Sequence, residues 1–305
     1  MTYSVLLPVR GGAATLPALL AALRAQKTAV PVEILSADSG SRDGSVDLLR
    51  QAGATVIEIP PAEFSHGRTR NFLASKSRGE FIFLLSQDAV PEGEDYLEAL
   101  VRPLKENPAV AGAFARQLPR SEAGALERLR WQRSPAGGAE ARLIRLESPQ
   151  AFSSLPPATQ REICEFHSAA CVIRRAVWEK IPFPDVPIGE DVAWARSTLL
   201  AGHALAFEPR AGVRHSHHRP LGEEFWRIHE EAALEWRLFR HAPVRSLAGA
   251  LGRGIAWGAC DAGAILRGRA GGSSGRLAGA GRALAFGWVR AWALRSGYRA
   301  ALAGR

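Results

Sequence analysis

The sequence predicts an α/β domain with a mostly parallel, doubly wound sheet flanked by helices, followed by a helical C-terminal extension. Three observations predict it. Short apolar runs alternate with segments of helical period through the first 115 residues, the pattern of successive β-α-β units. Acidic residues stand just after such runs, at Asp38 in EILSADSGSRDGS, Asp88 in FIFLLSQDAVP and Glu190-Asp191 in PIGEDVAWAR. Beyond residue 241 the composition changes to Gly, Ala, Arg and Trp. Asp38 and Asp88 each follow a stretch that reads as a buried parallel strand. Their carboxylates therefore gather at the strands' carboxyl ends, the edge where open α/β sheets bind ligands.

Taken in order, Tyr3–Val9 reads as the first strand. Gly11-Gly12 turns the chain, Thr15 can cap, and Pro17 suits the first turn of a helix whose Leu16, Leu19, Leu20 and Leu23 share one face. Val32–Ser36 is the second strand, Ser45–Ala52 a short helix closed by Gly53, and Thr55–Ile59 the third strand. Arg68–Ser77 reads as a helix and Phe81–Leu85 as a strand. Asp95–Lys105 is a further helix and Val110–Ala115 a further strand. From Ser121 to Cys164 the breakers SPAGG and SLPP loosen the pattern, which reads as a flexible, substrate-facing insertion. Order resumes with strand Cys171–Arg174, a helix through Trp178, a long helix from the Gly-Glu-Asp turn, and helix Leu221–Arg240. Two further segments are divided by GRAGGSSG. The expected organisation is a domain over residues 1–220 and an extension over 221–305.

At 305 residues, 47% apolar and 23% charged, the chain has the composition of a globular protein rather than a disordered one. Its net charge of +9 is uneven: residues 241–305 hold ten Arg and one acid, Asp261, while the rest balances. Cys164, Cys171 and Cys260 form no CxxC pair and read as reduced, buried thiols. Met1-Thr2-Tyr3 runs straight into SVLLPV, so no export by its own signal is expected. The uncharged run GGAATLPALLAAL falls short of the roughly 20 residues a membrane span needs. A cytoplasmic protein is expected.

SVLLPVR, EILSADSGSRDGS, HGRTRN, FIFLLSQDAVP and GEDVAWAR together resemble the family-2 glycosyltransferases, whose fold is the Rossmann-like GT-A fold; the likeness covers roughly residues 3–220. HGxTRN with QDA is most similar to the bacterial rhamnosyltransferase-like branch. The resemblance implies inverting transfer of a sugar from a dTDP, UDP or GDP donor to a hydroxyl of a glycan or lipid-linked acceptor. It also implies a divalent metal, Mg or Mn, and a role in surface polysaccharide or glycolipid synthesis.

Residue by residue, the resemblance assigns Asp38 to a pyrimidine N3–H and Arg70 to the donor's diphosphate or ribose, which a planar guanidinium suits. Asp88 becomes the metal ligand, although Ser86 stands where the family usually has the first aspartate of Asp-x-Asp, and Ser39 replaces a frequent second aspartate. Asp191 is the base, with His66, Glu190 and Trp194 against substrate. His215 or His217 would complete the metal shell; two apart on an extended segment, both point to one side. Read without the resemblance, Asp38 and Asp43 belong to a turn-rich capping loop, and Glu190-Asp191 complement a helix dipole.

The tail reads as an amphipathic membrane-surface segment. Leu277, Leu284, Trp288 and Trp292 share one side of a helix with Arg276, Arg282 and Arg290 opposite, and Phe286 falls among the arginines. That places the protein peripherally on the inner face of the cell membrane. Nucleic acid is disfavoured, since no reading motif accompanies the arginines. A non-catalytic nucleotide-sugar or membrane-surface binding subunit of the same ancestry is the alternative, favoured by Ser86. A sugar-1-phosphate nucleotidyltransferase is the third reading, and VRGGAATLPAL lacks the loop it needs.

Overall fold

The computed structural model describes residues 1–216, 219–270 and 275–304. Chain order begins β1 (Tyr3–Val9), α1 (Leu16–Arg24), β2 (Val32–Asp38), α2 (Ser45–Gln51), β3 (Thr55–Glu58), α3 (His66–Lys76) and β4 (Phe81–Leu85). It continues with β5 (Val90–Pro91), α4 (Tyr96–Glu106), β6 (Val110–Leu118), α5 (Ala125–Arg133), β7 (Arg142–Ile144), α6 (Pro149–Ser154) and α7 (Pro157–Ile163). Then come β8 (Ala170–Arg174), α8 (Arg175–Trp178), α9 (Glu190–Leu200), β9 (Ala204–Arg214), α10 (Leu221–Phe239), α11 (Leu247–Leu266) and α12 (Arg276–Leu302).

The strands join in one sheet of order β3-β2-β1-β4-β8-β6-β9-β5, with β7 also on β9. Strands β1, β2, β3, β4, β6 and β9 run one way, and β5, β7 and β8 oppose them. The sheet is thus mostly parallel but mixed. β4 is buried on both faces, as its unbroken FIFLL run requires. Leu16, Leu19, Leu20 and Leu23 of α1 pack into the same core as β1, β4 and α4. Thr15 stands at the helix start, yet its hydroxyl turns back to the Gly12 carbonyl instead of capping.

The chain divides into two compact units. One comprises Met1–Leu118, Gly138–Leu155 and Ile163–His215; the other comprises Pro119–Gly137, Pro156–Glu162 and Ser216–Arg305. The first holds the sheet. The second is helical, with a core of Leu126 and Leu129 from α5, Ile228 from α10, Ile265 from α11, and Ala283 and Phe286 from α12.

Three expectations change. The segment 121–164, expected as a loose insertion, contains α5, α6 and α7. Leu126 and Leu129, three apart, give α5 a buried side that the neighbouring Pro and Gly hide. β9, visible in the sequence only as a short apolar run, extends over 11 residues. Its pairing with β6 shifts register between Ala115 and Arg116, leaving Pro209-Arg210-Ala211 unpaired with β6, so a bulge interrupts the apolar pattern there. Cys164 and Cys171 are buried, but Cys260 is exposed.

Candidate active site

The carboxyl ends of the parallel strands gather the acidic residues. Val9 of β1 lies beside Asp38 of β2, and Ser86-Gln87-Asp88 follows β4. Gln117 of β6 and His215 after β9 reach the same edge, because β6 and β9 run with β4.

The loop after β2 is closed on itself. Asp38 is 1% exposed. Its Oδ1 accepts from the Gly40 and Ser41 amides at 3.0 and 2.9 Å, and its Oδ2 accepts from the Ser41 hydroxyl. Asp43 accepts from the Ala13 amide at 3.0 Å and from Ser45, while the hydroxyls of Ser41 and Ser45 receive the Gly11 and Gly12 amides, both at 2.8 Å. Serine after serine in this stretch therefore fixes the Arg10–Thr15 turn. Gln87 adds a second clamp, accepting from the Arg10 amide at 2.8 Å and donating to the Arg10 carbonyl at 3.0 Å. Asp38, expected to meet a base directly, has both oxygens engaged by its own loop, as the capping reading anticipates.

The second cluster is built over long range. Gly189, in the left-handed conformation at φ 77°, turns the chain so that Glu190 and Asp191 open α9. Gly67 lets α3 approach, since a Cβ there would lie 2.2 Å from the Pro184 carbonyl oxygen. Across that approach Arg70 Nη1 donates to Glu190 Oε1 at 2.6 Å, with both side chains 5% exposed. Arg70, expected on the donor, is turned instead to the acidic helix. Glu190, expected against substrate, is sealed by this pair and by the Ser168 hydroxyl at 2.8 Å.

Asp191 is half-buried. Its Oδ2 accepts from the Ser168 amide at 3.0 Å and lies 3.2 Å from the Ser168 hydroxyl; its Oδ1 accepts from the Val192 amide. Ser168 is in turn joined to the sheet edge, because the Ser86 amide donates to the neighbouring Ala169 carbonyl at 2.9 Å. Ser168 is the residue that sequence reasoning missed here; a lone serine before a strand carries no signal.

His66 reaches the surface at the start of α3. Desolvation by the surrounding protein lowers its pKa first and the Arg70 charge second, against the raising influence of Glu190 and Asp191. The imidazole is thus biased to the neutral form. Trp194, expected against substrate, is wholly buried: it packs on Phe166 and Phe183 and donates its Nε1–H to the Ile181 carbonyl at 2.8 Å. One turn beyond Asp191 the helix faces the core, so Trp194 anchors α9 and offers no surface to a ligand.

Asp88 and His215 meet. His215 Nε2 lies 3.5 Å from Asp88 Oδ1, and its Nδ1 lies 2.8 Å from Gln117 Oε1. An amide oxygen only accepts, so Nδ1 carries the ring proton and Nε2 is directed at the carboxylate. His217 lies outside the described residues. Among the described residues no cluster of three or more His, Cys, Asp or Glu could hold a metal by itself. A carboxylate with an oriented imidazole does fit an ion shared with a ligand's phosphates.

The chain matches the model of the glycosyl transferase family 2 over residues 4–181. It is 29% identical over 233 residues to an O-antigen chain rhamnosyltransferase of Salmonella typhimurium, covering 74% of this chain and 70% of that protein. To an O-antigen chain rhamnosyltransferase of Salmonella anatum it is 31% identical over 205 residues, 66% of this chain and 62% of that protein. Among solved structures, it is similar to a mannosyltransferase of Pyrobaculum calidifontis in complex with GDP-Man and Mn2+. The TM-score is 0.62 and the identity 17%, over 99% of this chain and 87% of that one. The strand order, the acidic carboxyl edge and a family match over more than half of the chain lead to one assignment: the protein belongs to glycosyl transferase family 2 and has the GT-A fold.

Proposed function

We propose that this glycosyltransferase transfers rhamnose from a nucleotide diphosphate to a hydroxyl of a growing surface polysaccharide, with inversion. The single observation that carries the mechanism is the half-buried Asp191, its carboxylate fixed by Ser168 beside the strand ends. The names of the Salmonella relatives support rhamnose and the O-antigen class of product. Residues 1–220 would carry the chemistry, and residues 221–305 would bring the chain to the inner membrane surface, where a lipid-linked acceptor resides. Among the described residues no helix is long and apolar enough to cross a membrane.

In this reading the acceptor oxygen attacks the anomeric carbon as its proton passes to Asp191. The bond from that carbon to the diphosphate breaks, and its electron pair leaves with the phosphate. The Arg70–Glu190 pair holds α9 so that Asp191 faces the acceptor. The serine-tied loops after β1 and β2 present the nucleotide's binding floor, with Asp38 shaping it, and His66, biased to the neutral form, lies within the electrostatic reach of Asp191. Asp88 and His215 would hold a divalent ion, Mg or Mn, which supplies Lewis-acid neutralisation of the leaving diphosphate when bound. Ser86 leaves one protein carboxylate for this task, and phosphate oxygens complete such shells.

The test pairs Asp191→Asn with a thermal-shift panel of UDP, dTDP and GDP, each with and without Mn2+. Loss of transfer with an unchanged nucleotide shift supports the base; equal loss of both overturns it. A shift with one nucleotide that requires Mn2+ supports the ion site, and a shift indifferent to metal removes it.

A further inference from the structure

The last two helices of the helical unit form a hairpin with two unlike sides. Gly254 packs on Trp288, Gly258 on Leu284, and Gly279 near Ile265, so α11 and α12 run antiparallel in close contact. At 3.6 residues per turn, Leu251, Ile255 and Leu266 lie to one side of this contact line on α11, and Leu247 stands in line with it at the helix start. Leu277, Leu284 and Trp288 lie to the corresponding side of α12, and antiparallel packing turns both stripes the same way. All seven are exposed, from 37% at Trp288 to 82% at Leu277. No charged residue shares that side of α11, or of α12 as far as Trp292.

The arginines opposite are engaged with protein. Arg253 and Arg290 stack on Trp257, Arg282 pairs with Glu127 and donates to the Arg219 carbonyl, and Arg130 covers the buried Phe286. Phe286, out of place on a lone amphipathic helix, is core.

Toward the end of α12 the apolar side becomes basic. Trp292, Arg295 and Arg299 line a cavity of about 720 Å³ with Phe225, His229 and Glu230 of α10. Arg295 Nε and His229 Nδ1 are buried without a hydrogen-bond partner among the described residues. Neither Arg295 nor Arg299 is in an ion pair among those residues, and the cavity sets two guanidiniums against one carboxylate.

The geometry points to a lipid headgroup site: we infer that this cavity takes the phosphate of an anionic phospholipid while the uncharged side of α11 and α12 rests in the acyl boundary. The inference rests on the membrane-surface reading above and adds a headgroup site to it. Two guanidiniums set against one carboxylate favour an anionic, acceptor-rich ligand, and exposed Leu, Ile and Trp next to them favour one joined to hydrocarbon.

Vesicle sedimentation of the full chain at low salt tests it, with phosphatidylcholine alone and with one quarter phosphatidylglycerol. The wild type is expected to bind the anionic vesicles roughly 30-fold more tightly, about fivefold for each arginine. The double variant Arg295→Gln/Arg299→Gln should lose that preference yet retain weak binding to both. Leu251→Asp/Ile255→Asp should release both, with an unchanged melting temperature because both residues are exposed. If the arginine variant keeps the full preference, the headgroup site is overturned and the membrane reading stands. Wild-type indifference to both vesicles overturns both. A dimer that Leu251→Asp dissociates, without vesicle binding, would give the face to a second copy instead.

Discussion

The loop after β2 and the start of α9 both present carboxylates at one sheet edge, but they are held in opposite ways. Asp38 and Asp43 are satisfied by residues two or three positions away and by the adjoining β1 turn. Glu190 and Asp191 depend on Arg70, 120 residues from Glu190, and on Ser168. The first site is a local hydrogen-bonded fold of the chain. The second is assembled only when α3, the β8 approach and α9 are all in place. A locally organised loop should tolerate single changes, whereas the assembled site should fail as a unit.

Asp191→Asn gives the largest expected effect: transfer falls about 10²–10⁴-fold, measured with saturating donor, while the fold is unchanged. Arg70→Ala should cost about 3–5 kcal/mol in urea unfolding, because it leaves Glu190 charged and buried without its partner. Arg70→Met with Glu190→Leu sharpens the comparison, since replacing both ions should restore most of that stability without restoring transfer. If Arg70→Ala alone is neutral in stability, the assembled-site picture is broken.

Asp38→Ala should cost about 1–3 kcal/mol by stranding the Gly40 and Ser41 amides, and Asp38→Asn about half as much or less, since one acceptor oxygen remains. A cost for Asp38→Ala above that for Arg70→Ala would invert the comparison. The smallest effect is that of His66. Its folded pKa lies below the ordinary value of 6.5, so the unfolded chain takes up the proton first as pH falls. Stability from this group is present above pH 6.5 and is lost as pH falls through the depressed folded value. Melting temperatures from pH 7.5 to 5 should fall less steeply in His66→Gln.

The same contrast explains what the sequence made legible. β1, β4 and α1 are set by runs and periods within ten residues, and their spans follow from the residues directly. Asp38, Asp88 and Asp191 could be singled out because each sits in a short local pattern. The partner of Arg70 was not, because which side of α3 faces α9 depends on Gly67 meeting Pro184. Trp194 was misread for a related reason: a tryptophan three residues after an acidic pair's second member looks exposed until Phe166 and Phe183 close over it. β9 escaped because a bulge breaks its alternation, and the sidedness of α12 made sense only once α11 lay against it.

Cys171 pairs with Leu84 in the sheet, and burial pushes its thiol far above the ordinary range. Cys260 is exposed on α11 in the other unit. A thiol reagent therefore meets two very different clocks in one chain. Cys260 should label at the rate of a small peptide, while Cys171 should wait for the sheet to open. The ratio of the two rates, followed by mass without any engineered probe, would report the opening free energy of the catalytic sheet.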